Sequence, residues 1–378
     1  MMRFWTRAVG FAALALMVSG LSASGASLDV KALLKDIQAV GPEGAGHAAA
    51  AKAWKSLSQA DAEQLTDILA GLDNANPLAA NWIRSAAEAV AQRRIKAGGQ
   101  LPAKALEEFV LETEHAPKAR RFAFELLTVA DKTAPDRLIP GFLNDPSVEF
   151  RRDAVTRLLD QADPLFQDKD EQAIPLYQQA LSGARDLDQI ELIAGRLEEL
   201  KQEVNLPRHF GFVVKWHVIG PFDNSEKKGY PIAYPPEEER EFDFSQTYLG
   251  KEGELKWAEH VSDDKYGQVD LNKVLGKNMG AVAYAVAYFQ AGKEQEVDLR
   301  LACTNANKLW LNGQLIGEHE VYHAGTKIDQ YIHRTKLQSG RNVILLKACQ
   351  NEQKDAWAQD WSFQLRICDT VGTAVLEK

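Results

Sequence analysis

Between residues 27 and 205 the apolar positions recur every three or four residues, the period of a helix with one buried face. The pattern predicts helices over 30–39, 47–57, 61–72, 78–96, 103–114, 118–130, 148–161, 171–184 and 187–203, punctuated by Pro, Gly and Asn-Asp pairs. Ser58-Gln59-Ala60-Asp61 and Asp145-Pro146-Ser147 have the chemistry of helix starts. The helical period stops near Pro207, and from about Trp216 the period becomes two. Strands are predicted over 213–220, closed by Pro221, and over 282–288 and 361–367, with a turn on Gly250 and Gly253 inside 248–257. Residues 223–240, with Tyr230-Pro231 and Tyr234-Pro235-Pro236, read as a long polar loop. The clearest local signal is Asn305 to Gly317, two short strands folded about Asn312-Gly313, since a two-residue turn needs positive φ at both central positions. In 282–288 one face carries Val282, Tyr284, Val286 and Tyr288 and the other Ala283, Ala285 and Ala287. In 361–367 Trp361, Phe363, Leu365 and Ile367 oppose Ser362, Gln364 and Arg366. One buried face and one small or polar face describe an antiparallel sandwich. The expected fold class is therefore multidomain α + β, an α-helical repeat domain over 27–205 followed by an antiparallel β-sandwich over 206–378.

The helical half carries a loose internal repeat. Arg120-Arg121-Phe122-Ala123 followed by Leu127 matches Arg151-Arg152-Asp153-Ala154 followed by Leu158, and Arg84-Ser85-Ala86 followed by Val90 matches the first set. Such spacing suits helix pairs stacked as a solenoid. The paired arginines are expected on solvated faces or as partners of residues like Asp145. The run Leu143-Asn144-Asp145-Pro146-Ser147-Val148, continuing to Leu158, resembles a HEAT repeat, with Asp before the second helix and Val148, Arg152 and Ala154 at core spacing. Residues 173–181 look closer to a tetratricopeptide unit. Both resemblances imply a surface for docking another protein.

In the second half the order of signals resembles a galactose-binding-like jelly roll, of which the sugar-binding domain of family 2 glycosidases is one example. It runs from a strand near 296–303 through the Asn312-Gly313 hairpin and a strand near 328–334 to Gly340-Arg341-Asn342-Val343-Ile344-Leu345-Leu346-Lys347. With Trp216-His217-Val218-Ile219-Gly220-Pro221-Phe222-Asp223-Asn224 and Cys349-Gln350-Asn351-Glu352-Gln353 added, the whole order resembles secreted bacterial proteins of unassigned function. What it implies is a fold more than an activity.

Charge removes some partners. The 378 residues are 26% charged with a net charge of −9. Residues 27–205 hold 21 basic and 29 acidic side chains, and 206–378 hold 21 and 24. Neither half offers a basic surface for phosphates, so nucleic acid is not an expected partner. Arg3 and Arg7, the apolar run 8–18 and Ser24-Gly25-Ala26 compose a signal peptide removed at Ser27, so the protein is expected to be exported, periplasmic or extracellular. That run is too short to span a bilayer, no other stretch does better, and no cysteine near the cut suggests a lipid anchor. Cys303, Cys349 and Cys368 are an odd set in a disulfide-permissive compartment. Period two puts Cys303 on the apolar face. If the last two strands form a hairpin, Cys349 and Cys368 lie about 23 Å apart at the strand rise, and they could pair only from different sheets.

Catalytic chemistry is not legible. Asp263-Asp264 and Glu237-Glu238-Glu239 show no spacing that defines a glycosidase pair. His319 and His323 stand four apart, a ligand spacing on a helix but not between strands. There is no zinc spacing, nucleophile elbow or phosphate loop, and no cofactor is expected. Tryptophan is the more informative residue: Trp216, Trp257, Trp310, Trp357 and Trp361 lie in the β-half. Trp216 and Trp361 belong to apolar strand patterns, and Trp310 points away from Leu309 and Leu311. Trp357 stands in a polar loop where no packing pattern requires an aromatic. Antiparallel succession gathers the linkers 304–307, 318–327 and 350–360 at one end of the sandwich. That end collects Asn305, Tyr322, His323, Asn351, Glu352 and Trp357, a set suited to a neutral polyhydroxyl ligand. The expectation is an exported, non-enzymatic protein whose sandwich binds carbohydrate or another extracellular ligand and whose helices dock a protein. A structural or assembly protein without a sugar site, or an accessory subunit of a polysaccharide-degrading system, are the alternatives.

Overall fold

The computed structural model describes residues 28–168 and 170–378, so the expected signal segment 1–26 lies outside the described residues. The chain forms two compact units, divided between Lys132 and Thr133.

The first unit is helical: α1 (Val30–Gln38), α2 (His47–Leu57), α3 (Leu65–Ala70), α4 (Pro77–Lys96), α5 (Ala103–Leu111) and α6 (Pro117–Ala130). Local chemistry sets the starts. Asn76 caps α4, its Oδ1 accepting from the amides of Leu78 and Ala79 at 3.0 and 2.9 Å, and Pro77 takes the first position, where no amide is needed. The stripe Val30, Leu34 and Ile37 of α1 is buried, and α1 packs on α2 as α5 packs on α6.

The second unit begins with α7 (Ala134–Leu138), α8 (Val148–Gln167), α9 (Ala173–Gly183), α10 (Leu187–Glu199) and α11 (Leu206–Phe210). Here α8 packs on α9 and α9 on α10. Helix α8 runs past its expected end and through Pro164, since Leu165 and Phe166 pack into a core shared with Tyr177 and Ile193. Pro207 does not end the helical region. It opens α11, which Asn205 caps through the Arg208 amide. Of the paired arginines, Arg151 meets the expected Asp145, through its backbone carbonyl, but neither Arg120 nor Arg151 lies on a solvated face. Arg120 and Arg151 are buried; Arg120 Nε donates to the Val110 carbonyl at 2.8 Å and Arg151 Nη1 to that of Asp145 at 2.9 Å. The first arginine of each pair thus fastens the chain that precedes its helix.

Twelve antiparallel strands follow: β1 (Lys215–Asp223), β2 (Thr247–Leu249), β3 (Glu254–Lys256), β4 (Ala258–Val261), β5 (Val269–Asp270), β6 (Ala281–Ala291), β7 (Gln295–Cys303), β8 (Ala306–Leu311), β9 (Gln314–His319), β10 (Tyr331–Leu337), β11 (Gly340–Gln350) and β12 (Ser362–Cys368). Two short helices interrupt them, α12 (Pro235–Glu238) and α13 (Leu271–Leu275). The order β4-β1-β6-β11-β8-β9 makes one sheet and β10-β7-β12-β5 the other, with β2-β3 a separate hairpin. From β6 onward most connections cross between the sheets, in the manner of a jelly roll. Their inner faces meet in one core, with Trp216, Ala285, Leu309 and Ile344 from the first sheet and Leu299, Leu301, Phe363 and Leu365 from the second. Asn312 and Gly313 have φ of 50° and 76°, and Leu311 pairs with Gln314 across them, the two-residue turn read from the sequence. Pro221 lies within β1 rather than after it, where the pairing with β6 shifts register between Ile219 and Phe222.

The expectation of one buried face per strand fails for β6 and β12. The Val282–Tyr284–Val286 face of β6 is as buried as its alanine face, because Tyr230, Tyr248 and Leu255 from the chain between β1 and β4 close over it. Ser362, Gln364 and Arg366 of β12 are buried as well. There the backbone from Gly211 to Val213 runs against the strand, Val213 N donating to Leu365 O and Ile367 N to Gly211 O, both at 2.9 Å. Strands β11 and β12 lie in different sheets, which removes the hairpin used to separate Cys349 from Cys368. Cys349 sits in the outer-face core at the end of β11 and Cys368 at the end of β12; all three cysteines are buried and free.

Candidate functional site

Register decides which loops meet. Ala281 pairs with both Asp223 and Gln350, and Cys349 pairs with Ala306. The chain after β1, before β6, before β8, after β9 and after β11 therefore converges at one end of the sandwich. The turns at Asn312-Gly313 and 338–339 lie at the other.

Within that end the side chains form a continuous hydrogen-bonded set. Asn305 is fully buried; its Nδ2 donates to the Asp360 carbonyl at 2.8 Å and its Oδ1 accepts the His323 amide at 3.0 Å. His323 has φ of 59°, a left-handed conformation that a residue with a Cβ adopts at a cost of order 1 kcal/mol. The Ala324 amide donates to the Thr304 carbonyl at 2.8 Å, helping to hold that turn. The Asn351 amide lies 2.9 Å from His323 Nε2; with the amide as donor, the imidazole proton sits on Nδ1. The His323 and Trp357 rings meet edge to face, with centroids 5.2 Å apart and planes at 75°. Trp357 belongs to the short turn Ala356–Ala358, pinned by buried Ala358, whose carbonyl accepts from Gln350 Nε2 at 3.3 Å. The indole itself is 65% exposed.

Tyr322 and Glu352 reach the same end through the turn after β1. Buried Asn224 donates from Nδ2 to the Gln350 carbonyl at 2.9 Å and to the Tyr322 hydroxyl at 3.2 Å. Burial pushes the Tyr322 phenol up to about 12, and Lys227 Nζ lies 4.9 Å from its ring centre. Glu352 Oε2 accepts the Glu226 amide at 2.9 Å.

All six expected residues therefore gather at one end, but they do not share one job. Asn305 and Asn351 are buried, with their amides engaged within the protein, and order the loops instead of facing solvent. Tyr322 packs against the outer-face core. Trp357 and Glu352 are exposed, and His323 is half-buried between them and Asn305. The residue that the sequence reading missed is Asn224, which ties three loops together. Its signal was present, an Asn at the end of a strand where a side-chain amide can stand in for a turn's backbone.

Two buried ion groups fix the surrounding segments. Asp329, on the β9–β10 linker, accepts from Arg366 Nε at 2.6 Å and Arg300 Nη1 at 2.9 Å. Burial alone would raise its carboxyl; the two guanidinium groups outweigh it and hold the group below the usual carboxylate range. Lys347, wholly buried, donates to the carbonyls of Tyr230 and Ile232 at 3.0 and 2.7 Å and to Glu237 Oε1 at 2.7 Å. Tyr284 donates to the same carboxylate, and burial holds the Lys347 ammonium below its usual range. Among the described residues no three His, Cys, Asp or Glu side chains converge as a metal site, and no helix is long and apolar enough to cross a membrane.

No family model matches the chain, and no curated protein matches it. Solved structures give distant overlaps. A β-glucosidase from Kluyveromyces marxianus aligns over 47% of this chain and 22% of its own, with 12% identity and a TM-score of 0.25. A β-glucuronidase from an uncultured Clostridium sp. aligns over 42% and 29%, with 11% identity and a TM-score of 0.26. The A domain of epithelial adhesin 9 from Candida glabrata, in complex with Galb1-4GlcNAc, aligns over 42% and 81%, with 11% identity and a TM-score of 0.22. This chain spans only 14% of the β-glucosidase solved with glucose. Likeness at this distance carries no conclusion about what this chain binds.

Proposed function

We propose that this is an exported binding protein without catalytic activity, whose sandwich end takes a neutral carbohydrate and whose helical repeats dock a protein partner. The observation that carries the reading is Trp357. An indole left 65% exposed, yet held edge-on by a strained histidine that two buried asparagines position, is a stacking surface set in advance. An aromatic face covers the C–H face of a sugar, and the His323 ring lies against the indole. Rigid aromatic anchors lose little conformational freedom on binding.

The test is titration of the chain beginning at Ser27 with a panel of neutral oligosaccharides, followed by tryptophan fluorescence. Trp357→Ala should weaken binding about tenfold, the scale of a stacking contact, and leave the melting temperature nearly unchanged. Absence of any ligand across the panel would favour a structural role. Turnover of glycoside substrates would overturn the non-catalytic reading, and recovery of an exported protein that still begins at Met1 would remove the signal peptide.

A further inference from the structure

The edges of the two sheets approach each other along one side of the sandwich, where β9 closes the first sheet and β10 the second. His319 ends β9 and His333 lies in β10, and their Nε2 atoms face each other at 3.4 Å. His323, four residues from His319, is not its companion; the fold brings His333 to it instead.

The separation suits a shared ion. An N–H···N hydrogen bond between two imidazoles would close to about 3.0 Å, so the pair stands wider than its own best contact. Two imidazole nitrogens on one tetrahedral zinc ion, each at about 2.0–2.1 Å, stand about 3.3–3.4 Å apart. Adjacent positions of a square-planar ion at similar bond lengths would bring them to about 2.9 Å.

Both rings are also held. Tyr331 stacks on His319 with centroids 3.8 Å apart and planes at 12°. The Ile316 backbone carbonyl lies beside the His333 ring. Gly317 leaves the room, since a Cβ there would come within 2.2 Å of His333 Cε1.

We propose that His319 and His333 form a two-histidine site for a divalent zinc ion, bound through both Nε2 atoms with water in the remaining positions. Imidazole donors favour such an ion over magnesium or calcium, which take oxygen. The site is independent of the carbohydrate reading, as Trp357 and its neighbours contribute no donor to it.

The experiment is calorimetric titration of the untagged chain beginning at Ser27 with zinc chloride alone at neutral pH, with magnesium chloride as a second titrant. One zinc ion per chain is expected, with no magnesium signal. His319→Phe keeps a ring against Tyr331 and removes the donors; it and His333→Ala should each weaken zinc binding at least tenfold, while His260→Ala leaves it unchanged. No saturable zinc signal, or one that survives both substitutions, would overturn the site. Should either variant fail to fold, modification of the unaltered chain by diethyl pyrocarbonate decides the matter. Zinc protection of His319 and His333 supports the site, and protection confined to other histidines overturns it.

Discussion

Asp329 shows how much a single side chain holds at this end of the sandwich. It fixes the β9–β10 linker to the outer face of the second sheet through Arg366 and Arg300, both mostly buried. Removing it leaves two guanidinium groups without their shared partner, so Asp329→Ala should cost about 3–5 kcal/mol in denaturant unfolding. Its folded carboxyl titrates below the unfolded one. The contribution is therefore complete above the unfolded value of about 3.9 and is lost as pH falls through the folded value, so Asp329→Ala should narrow its deficit against the parent only in strong acid. The cysteines give a second prediction at this scale. Burial pushes the thiols of Cys303 and Cys349 up to about 12 and that of Cys368 to about 11. The native chain should show almost no reaction with a thiol reagent at pH 8, and all three should react in denaturant; rapid modification of the folded protein would contradict this. Period two placed Cys303 inward from sequence alone. The burial of Arg120 and Arg151 was not legible, because the Val110 and Asp145 carbonyls that they reach are backbone groups, which every sequence contains.

Among the elements, those that local chemistry specifies were legible and those that depend on a cover were not. Helix α2 matches its predicted span, and the β8–β9 hairpin matches because Asn and Gly state their conformation locally. The double burial of β6 could not be read, because the residues over it come from a proline-rich loop with no period and from the short hairpin β2–β3. Lys347 is the clearest casualty. It stands in a run of apolar strand residues, where an isolated lysine reads as a solvent-facing position, yet it clamps that loop through Tyr230, Ile232 and Glu237. Lys347→Ala should free the 229–239 segment, exposing the face of Val282 and Tyr284, and cost about 3–5 kcal/mol because Glu237 loses its counter-ion. Faster amide exchange across 229–239 would register the release, and an unchanged exchange rate there would show that aromatic packing alone holds the cover. The hairpin can be tested separately. Gly313 has φ of 76°, which a β-branched side chain adopts only with strain, so Gly313→Val should lower the melting temperature, and an unchanged value would contradict the turn.

For the molecule as a whole, the expected separation of helices from strands near Asn205 and the observed division of the compact units differ in place. The helices end at Phe210, a few residues beyond the expected boundary, and a change of secondary structure is not a change of core. Phe210 and Phe212, on the sequence boundary, share one apolar cluster with Tyr177, Ile190 and Ile193 from α9 and α10 and with Tyr266 from the β-half. The backbone there is paired to β12 through Gly211 and Val213. A protease needs several residues of unpaired, movable backbone, which 205–213 does not offer although Arg208 is exposed. Lys132 is exposed and lies where one compact unit ends and the next begins. Brief trypsin digestion of the native chain should therefore cut at Lys132 before Arg208, and mass spectrometry should find a persistent fragment that starts at Thr133 and retains α8–α11 with all twelve strands. A first cut at Arg208, releasing a stable fragment of strands alone, would mean that the sandwich folds without the helices and that the phenylalanines at the boundary contribute little to its core.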